Sequence, residues 1–132
     1  MMWRWPSKSA LLLLHGESLA EHGGAAGLRD EGLLDSALAR PLNLLAYASP
    51  DESPDVATLA ASYCVGLAKN HPFVDGNKRA AFLATGLFLY LNGYRLKATQ
   101  AQATRTILSV AASELTEGDL AAWLRAHVVL NA

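Results

Sequence analysis

The nine residues His71-Pro72-Phe73-Val74-Asp75-Gly76-Asn77-Lys78-Arg79 concentrate an imidazole, a carboxylate, an amide and two cations between two long apolar runs. Pro72 forces His71 out of any preceding helix, which leaves an imidazole able to take a proton near neutral pH. Asp75 is a hard oxygen ligand suited to Mg²⁺ on a phosphate-bearing substrate. Gly76 permits close backbone approach or a positive φ. Asn77 suits a helix cap or a phosphate contact, and Lys78 and Arg79 add two positive charges. Cations at a helix start oppose the macrodipole, an arrangement that makes sense where an anion sits on the free N–H groups.

The loop must be positioned by the runs that flank it. Val56–Asn70 and Ala80–Asn92 are both apolar and helix-compatible. The second run is apolar on nearly every face, which predicts the central helix of a bundle, over Lys78–Asn92 with Gly93 after it. Ser7 or Ser9 can cap a first helix that ends at Gly23-Gly24, and Asp30 a second through Leu33, Leu34, Ala37 and Leu38. Pro41 is expected to break or kink that helix before Leu42–Ala48. Ser49–Asp55 reads as a surface loop with Asp55 as cap of the third helix. Tyr94–Ala98 reads as an extended connection. Thr99 with Gln102, and Thr116 with Asp119, mark two further helix starts. No run alternates as a sustained strand, so the fold class is all-α, a bundle of about six helices with, at most, a short hairpin flap near Gly27–Asp30.

Bulk properties narrow the function. The 132 residues are 52% hydrophobic and 17% charged, which suits one domain, 1–132, with a continuous core. A net charge of −1 and a pI near 6.4 supply no basic footprint for nucleic acid. The single cysteine, Cys64, excludes an intrachain disulfide and a multi-cysteine zinc site. Ala10–Leu14 is too short for a signal core and Ala80–Leu91 too short for a bilayer span. A cytoplasmic protein without membrane association is expected. Walker A, Gly-x-Gly-x-x-Gly and His-Glu-x-x-His patterns do not occur. His15, His22 and His127 have no metal-ligand spacing and are expected to be structural.

HPFVDGNKR resembles the signature of the Fic/Doc (Fido) superfamily, in which the Fic branch has Gly where the Doc branch has Lys. Lys78 places the chain with the Doc, or death-on-curing, branch. GLRDEGLLDSALARP (27–41) and ELTEGDLAAWLRAH (114–127) are similar to the N-terminal segment and the last helix of such proteins. The resemblance implies a Fido helical bundle and the toxin of a bacterial toxin–antitoxin module. It further implies transfer of the γ-phosphoryl group of ATP, with Mg²⁺, to a threonine of elongation factor Tu. The implied roles are His71 as base, Asp75 as the Mg²⁺ ligand, and Gly76, Asn77, Lys78 and Arg79 as an anion hole. Lys78 and Arg79 also stabilise the transferring group, and Gly27, Leu28, Arg29 and Asp30 help dock the target. AMP transfer of the Fic type, or a catalytically silent binding module, are the alternatives. Ser113–Gly118 matches the letters of an inhibitory motif of some Fic proteins, but Thr116 and Asp119 read as an ordinary helix start. Control is therefore expected from an antitoxin whose tail folds on binding.

Overall fold

The computed structural model describes residues 2–131. Six α-helices follow one another: α1 Lys8–His22, α2 Glu31–Tyr47, α3 Val56–Asn70, α4 Asn77–Leu91, α5 Gln100–Ala111 and α6 Glu117–His127. A 3₁₀ turn, Pro50–Glu52, precedes α3. Two three-residue strands, β1 Tyr94–Leu96 and β2 Val128–Leu130, pair antiparallel with Arg95 opposite Val129. β1 lies within the expected extended connection; β2 directly continues α6, a pairing that no alternation in the sequence announced.

Local chemistry explains the boundaries. Ser7, Asp30, Asp55, Thr99 and Thr116 each accept a backbone N–H at the start of their helix. The last two form capping boxes with Gln102 and Asp119, satisfying donors that a helix start otherwise leaves orphaned. Pro41 does not break α2, which runs unbroken to Tyr47. Proline removes one helical N–H, and Leu34, Ala37 and Pro41 are all buried, so packing holds the helix through the gap.

The central element is α3, not α4. Every α3 residue from Leu59 to Ala68 is buried, and α2, α4, α5 and α6 all pack against it. α4 has an exposed side that includes Gly86 and Tyr90. The cause is side-chain size. α3 is built from small residues such as Ala57, Ala60, Ala61 and Gly66, so neighbouring helices approach closely. A Cβ on Gly66 would lie 3.2 Å from the Cα of Ala37. Leu59, Leu67 and Tyr63 fill the remaining space, each contributing about 1.5–3 kcal/mol by burial.

The N-terminal tail seals one end of this core. Trp5 stacks on Phe88 at 4.9 Å between ring centroids, and Trp3 and Tyr63 lie about the same ring at 6.1 and 6.0 Å. Asn92 brackets the tail, accepting from the Arg4 N–H at 2.9 Å and donating to the Arg4 carbonyl at 2.8 Å. Among the described residues no helix is long and apolar enough to cross a membrane.

Candidate active site

The α3–α4 junction is fixed from both sides. His71 ends α3 in the left-handed region, φ 50° and ψ 55°. Arg29 secures that turn, donating through Nε to the His71 carbonyl at 2.7 Å and through Nη2 to that of Asn70 at 2.9 Å. The segment between α1 and α2 then runs along the loop. Val74 donates to the Gly27 carbonyl at 3.0 Å, Arg29 and Asp30 donate to the Pro72 carbonyl at 2.7 and 3.1 Å, and Leu28 bridges to Phe73. Gly27–Asp30 is therefore no hairpin of its own but a partner for the His71–Arg79 loop. The side chains of Arg29 and Asp30 are committed, the first to α3 carbonyls and the second to capping α2 at Leu33. Leu28 remains partly exposed.

Inside the loop, Phe73 is buried at 1% exposure and its backbone is closed by Asn77. The Asn77 amide accepts from the Phe73 N–H at 2.9 Å and donates to the Phe73 carbonyl at 3.0 Å. Asn77 is the first residue of α4, not its cap, and its side chain is occupied by the loop and so is not free for a phosphate. The cap is Gly76, at φ 75° and ψ 22°, a conformation that costs other L-residues roughly 1–2 kcal/mol.

α4 alone among the described α-helices starts without a side-chain cap. Its first internal bond is Ala80 N–H to the Gly76 carbonyl at 2.9 Å. The amides of Asn77, Lys78 and Arg79 have no acceptor among the described residues. Lys78 and Arg79 are exposed and make no ion pair among the described residues. N–H groups without an acceptor among the described residues, the positive end of the helix dipole and two cations are together an arrangement that suits an anion.

These groups line a cleft of about 670 Å³ together with His71, Val74 and Asp75. The rest of the lining is largely apolar: Phe82 and Leu83 from α4, Ile107 and Leu108 from α5, with Gln100 and Thr104 as the polar groups on α5. None of these six was singled out in the sequence. The α5 residues 100, 104, 107 and 108 share one helical face, which is the signal that could have found them. The His71 ring has no hydrogen-bond partner among the described residues, and His71 lines the cleft.

Asp75 is exposed, with Oδ1 accepting from the Gly76 N–H at 2.9 Å and Oδ2 from the Ala25 N–H at 3.3 Å. Among the described residues no group of three His, Cys, Asp or Glu side chains converges. A single oriented carboxylate fits Mg²⁺ that arrives on a nucleotide, since that ion takes one or two carboxylates and completes its shell with phosphates and water. Behind the loop, His15 is buried, donates from Nε2 to the Asp75 carbonyl at 2.7 Å, and stacks on Phe73 at 3.7 Å. Its structural role was expected, but not this partner, 60 residues away in the chain. Its place four residues after Leu11 and three before Ser18, all buried, is the available signal.

Other reactive groups lie elsewhere. Burial pushes the Cys64 thiol up to about 12, so it is no nucleophile at neutral pH. His127 stacks on Trp123 at 4.4 Å, and His22 is an exposed helix-end residue. No residue of 113–118 lines the cleft. Thr116 caps α6 and Glu117 pairs with Arg40 at 2.6 Å, so this stretch is a helix start.

A family model described as the Fic/DOC family matches residues 5–89, which include the whole loop, all of α3 and α4 as far as Leu89. The chain belongs to the Fic/DOC family. It is all-α with the Fido fold. The Fic/DOC chain is also 46% identical over 76 residues to Toxin Doc of Mycolicibacterium smegmatis, a match covering 58% of this chain and 57% of that relative. The chain thus aligns with somewhat more than half the relative's length.

Proposed function

We propose that the chain is the toxin of a toxin–antitoxin pair, a Doc-type kinase that transfers the γ-phosphoryl group of ATP to a threonine of elongation factor Tu. The observation that carries this reading is the uncapped start of α4, where three N–H groups, Lys78 and Arg79 share a cleft with the imidazole of His71, none of them with a hydrogen-bond or ion-pair partner among the described residues. Phosphoryl transfer asks an enzyme for positioning and charge stabilisation more than covalent help. His71 takes the threonine proton as the hydroxyl oxygen attacks the γ-phosphorus. The bond from that phosphorus to the β,γ-bridging oxygen breaks, and ADP leaves.

Lys78, Arg79 and the amides of residues 77–79 hold the negative oxygens through this step. Asp75 would hold Mg²⁺, which when bound offsets phosphate charge. The apolar wall of Phe82, Leu83 and Ile107 offers a surface for the nucleoside. Leu28 and Val74, both exposed apolar residues, offer the target segment a contact beside the loop. Control comes from an antitoxin whose tail orders on binding, and the protein acts in the cytoplasm.

Lys78 supports phosphoryl over AMP transfer, because it adds bulk and charge where the Fic signature has glycine. Incubation with elongation factor Tu and ATP labelled at the α or the γ phosphate tests this. Retention of γ label alone is expected. α label on the target would replace the reading with AMP transfer, and no label on any protein of a bacterial lysate would leave a binding module.

A further inference from the structure

We infer that His15 is a positioning residue that orients the Asp75 carboxylate through the Asp75–Gly76 peptide; this rests on the reading of Asp75 as the group that holds Mg²⁺ on the nucleotide. The imidazole is 5% exposed. A carbonyl oxygen only accepts, so the 2.7 Å contact with the Asp75 carbonyl makes Nε2 the protonated nitrogen. The peptide is trans and planar, so pulling its carbonyl toward α1 sends the Gly76 N–H to the opposite side. There it meets Oδ1 of Asp75 at 2.9 Å. The Ala25 N–H takes Oδ2 at 3.3 Å. One buried donor thus sets a peptide plane, and that plane sets a carboxylate rotamer at the cleft.

The ring is itself held so that it can do this. It lies on Phe73 at 3.7 Å and 14°, and Phe73 is locked by Asn77. The Gly76 backbone comes close to the edge of the ring that carries Nε2: a Cβ on Gly76 would meet Nε2 at 3.4 Å and Leu19 Cδ2 at 3.3 Å. A residue present only to fill space would need the ring and not the N–H, and that difference makes the two roles separable. His15→Phe keeps an aromatic plane on Phe73 and removes the donor. His15→Gln keeps an N–H donor and removes the ring.

The test compares the two variants with the wild-type chain by three measurements. They are thermal midpoint, exchange of the Gly76 amide by ¹⁵N NMR without nucleotide, and Mg²⁺-dependent ATP binding by calorimetry. His15→Phe is expected to fold, to exchange Gly76 at least tenfold faster, and to weaken Mg²⁺·ATP binding roughly 10–100-fold, the range for partners that orient metal ligands. His15→Gln is expected to stay within about fivefold of wild type in exchange and binding, the fold-change that corresponds to a hydrogen-bond energy of about 1 kcal/mol. Wild-type behaviour of His15→Phe would overturn the inference, as would loss of Gly76 protection in a folded His15→Gln. Should His15→Phe not fold, the His15→Gln result alone decides. A wild-type chain that does not bind Mg²⁺·ATP would sink the functional reading, while Gly76 exchange would still decide the role of His15.

Discussion

Replacing Asn77 by alanine separates a brace from a ligand. The side chain makes two hydrogen bonds to the backbone of Phe73, at 2.9 and 3.0 Å, and Phe73 is almost wholly buried. Alanine leaves that N–H and carbonyl without partners, at about 1–3 kcal/mol for each group. Partial access of water to the loop keeps the sum low in that range, and the better helix propensity of alanine returns a few tenths of a kcal/mol. A net loss of about 2–3 kcal/mol follows. For a chain of this length the melting temperature falls by about 3–4 °C per kcal/mol, so a drop of roughly 6–12 °C is expected. Differential scanning calorimetry reads it directly, and titration with ATP and Mg²⁺ reads binding by the folded fraction. A melting temperature within about 2 °C of wild type, with ATP affinity lost, would refute the reasoning and make the amide a ligand.

Three further outcomes check the remaining parts of the site and its frame. His71→Ala should lower kcat by about 10²–10⁴ with an unchanged melting temperature, since the exposed ring touches no polar partner among the described residues; a fully active variant would remove His71 as base. Lys78→Ala should leave the nucleotide-free protein as stable or up to about 1 kcal/mol more stable, because the charge opposes the α4 dipole, while stabilisation by ATP and Mg²⁺ shrinks; a clear loss of stability without nucleotide would refute this. The Arg125 guanidinium, 2.7 Å from Asp55, holds that carboxyl well below the usual carboxylate range. A depressed folded pKa gives stability that is present above the unfolded value near 4 and lost as pH falls below it. Arg125→Met should thus melt lower at pH 7, by at most about 1 kcal/mol because both groups are half exposed, and the gap in urea melts should close toward pH 2.

What could be read from the chain was what is decided within a turn or two of helix. Asp30, Asp55, Thr99 with Gln102, and Thr116 with Asp119 do as caps what their types and spacings imply, because a cap bonds three residues ahead. Misreadings arose where distant packing decides. α3 looked less central than α4 because alanine and glycine carry little hydrophobicity, yet small side chains are what let four helices close on it. Pro41 was expected to interrupt α2, but burial against the core outweighs one missing hydrogen bond. Asn77 has the right type for an anion contact and is spent on Phe73 instead. The α5 wall of the cleft and the contact of His15 with Asp75 join residues tens of positions apart, and nothing local encodes such distances.

The start of α4 shows why the loop was nevertheless the most legible part. Five of the described α-helices follow the local rule that a start takes an oxygen-bearing cap, whereas α4 starts with glycine and two cations. That placement works against the helix as a helix: its first N–H groups find no acceptor among the described residues and the charges oppose the dipole. The unfavourable pieces agree with one another, because every one of them is relieved by the same thing, a polyanion in the cleft. A lone lysine or a lone uncapped turn carries little information, since surfaces contain many. Several departures from local rules that share one remedy are hard to reconcile with a merely structural turn. The same logic separates Lys78 from Lys8, Arg40 and Arg125. Each of those three has a carboxylate within 3 Å, whereas Lys78 has none among the described residues and lines the cleft. Its charge is thus left over after folding, at the place where a phosphate would need it.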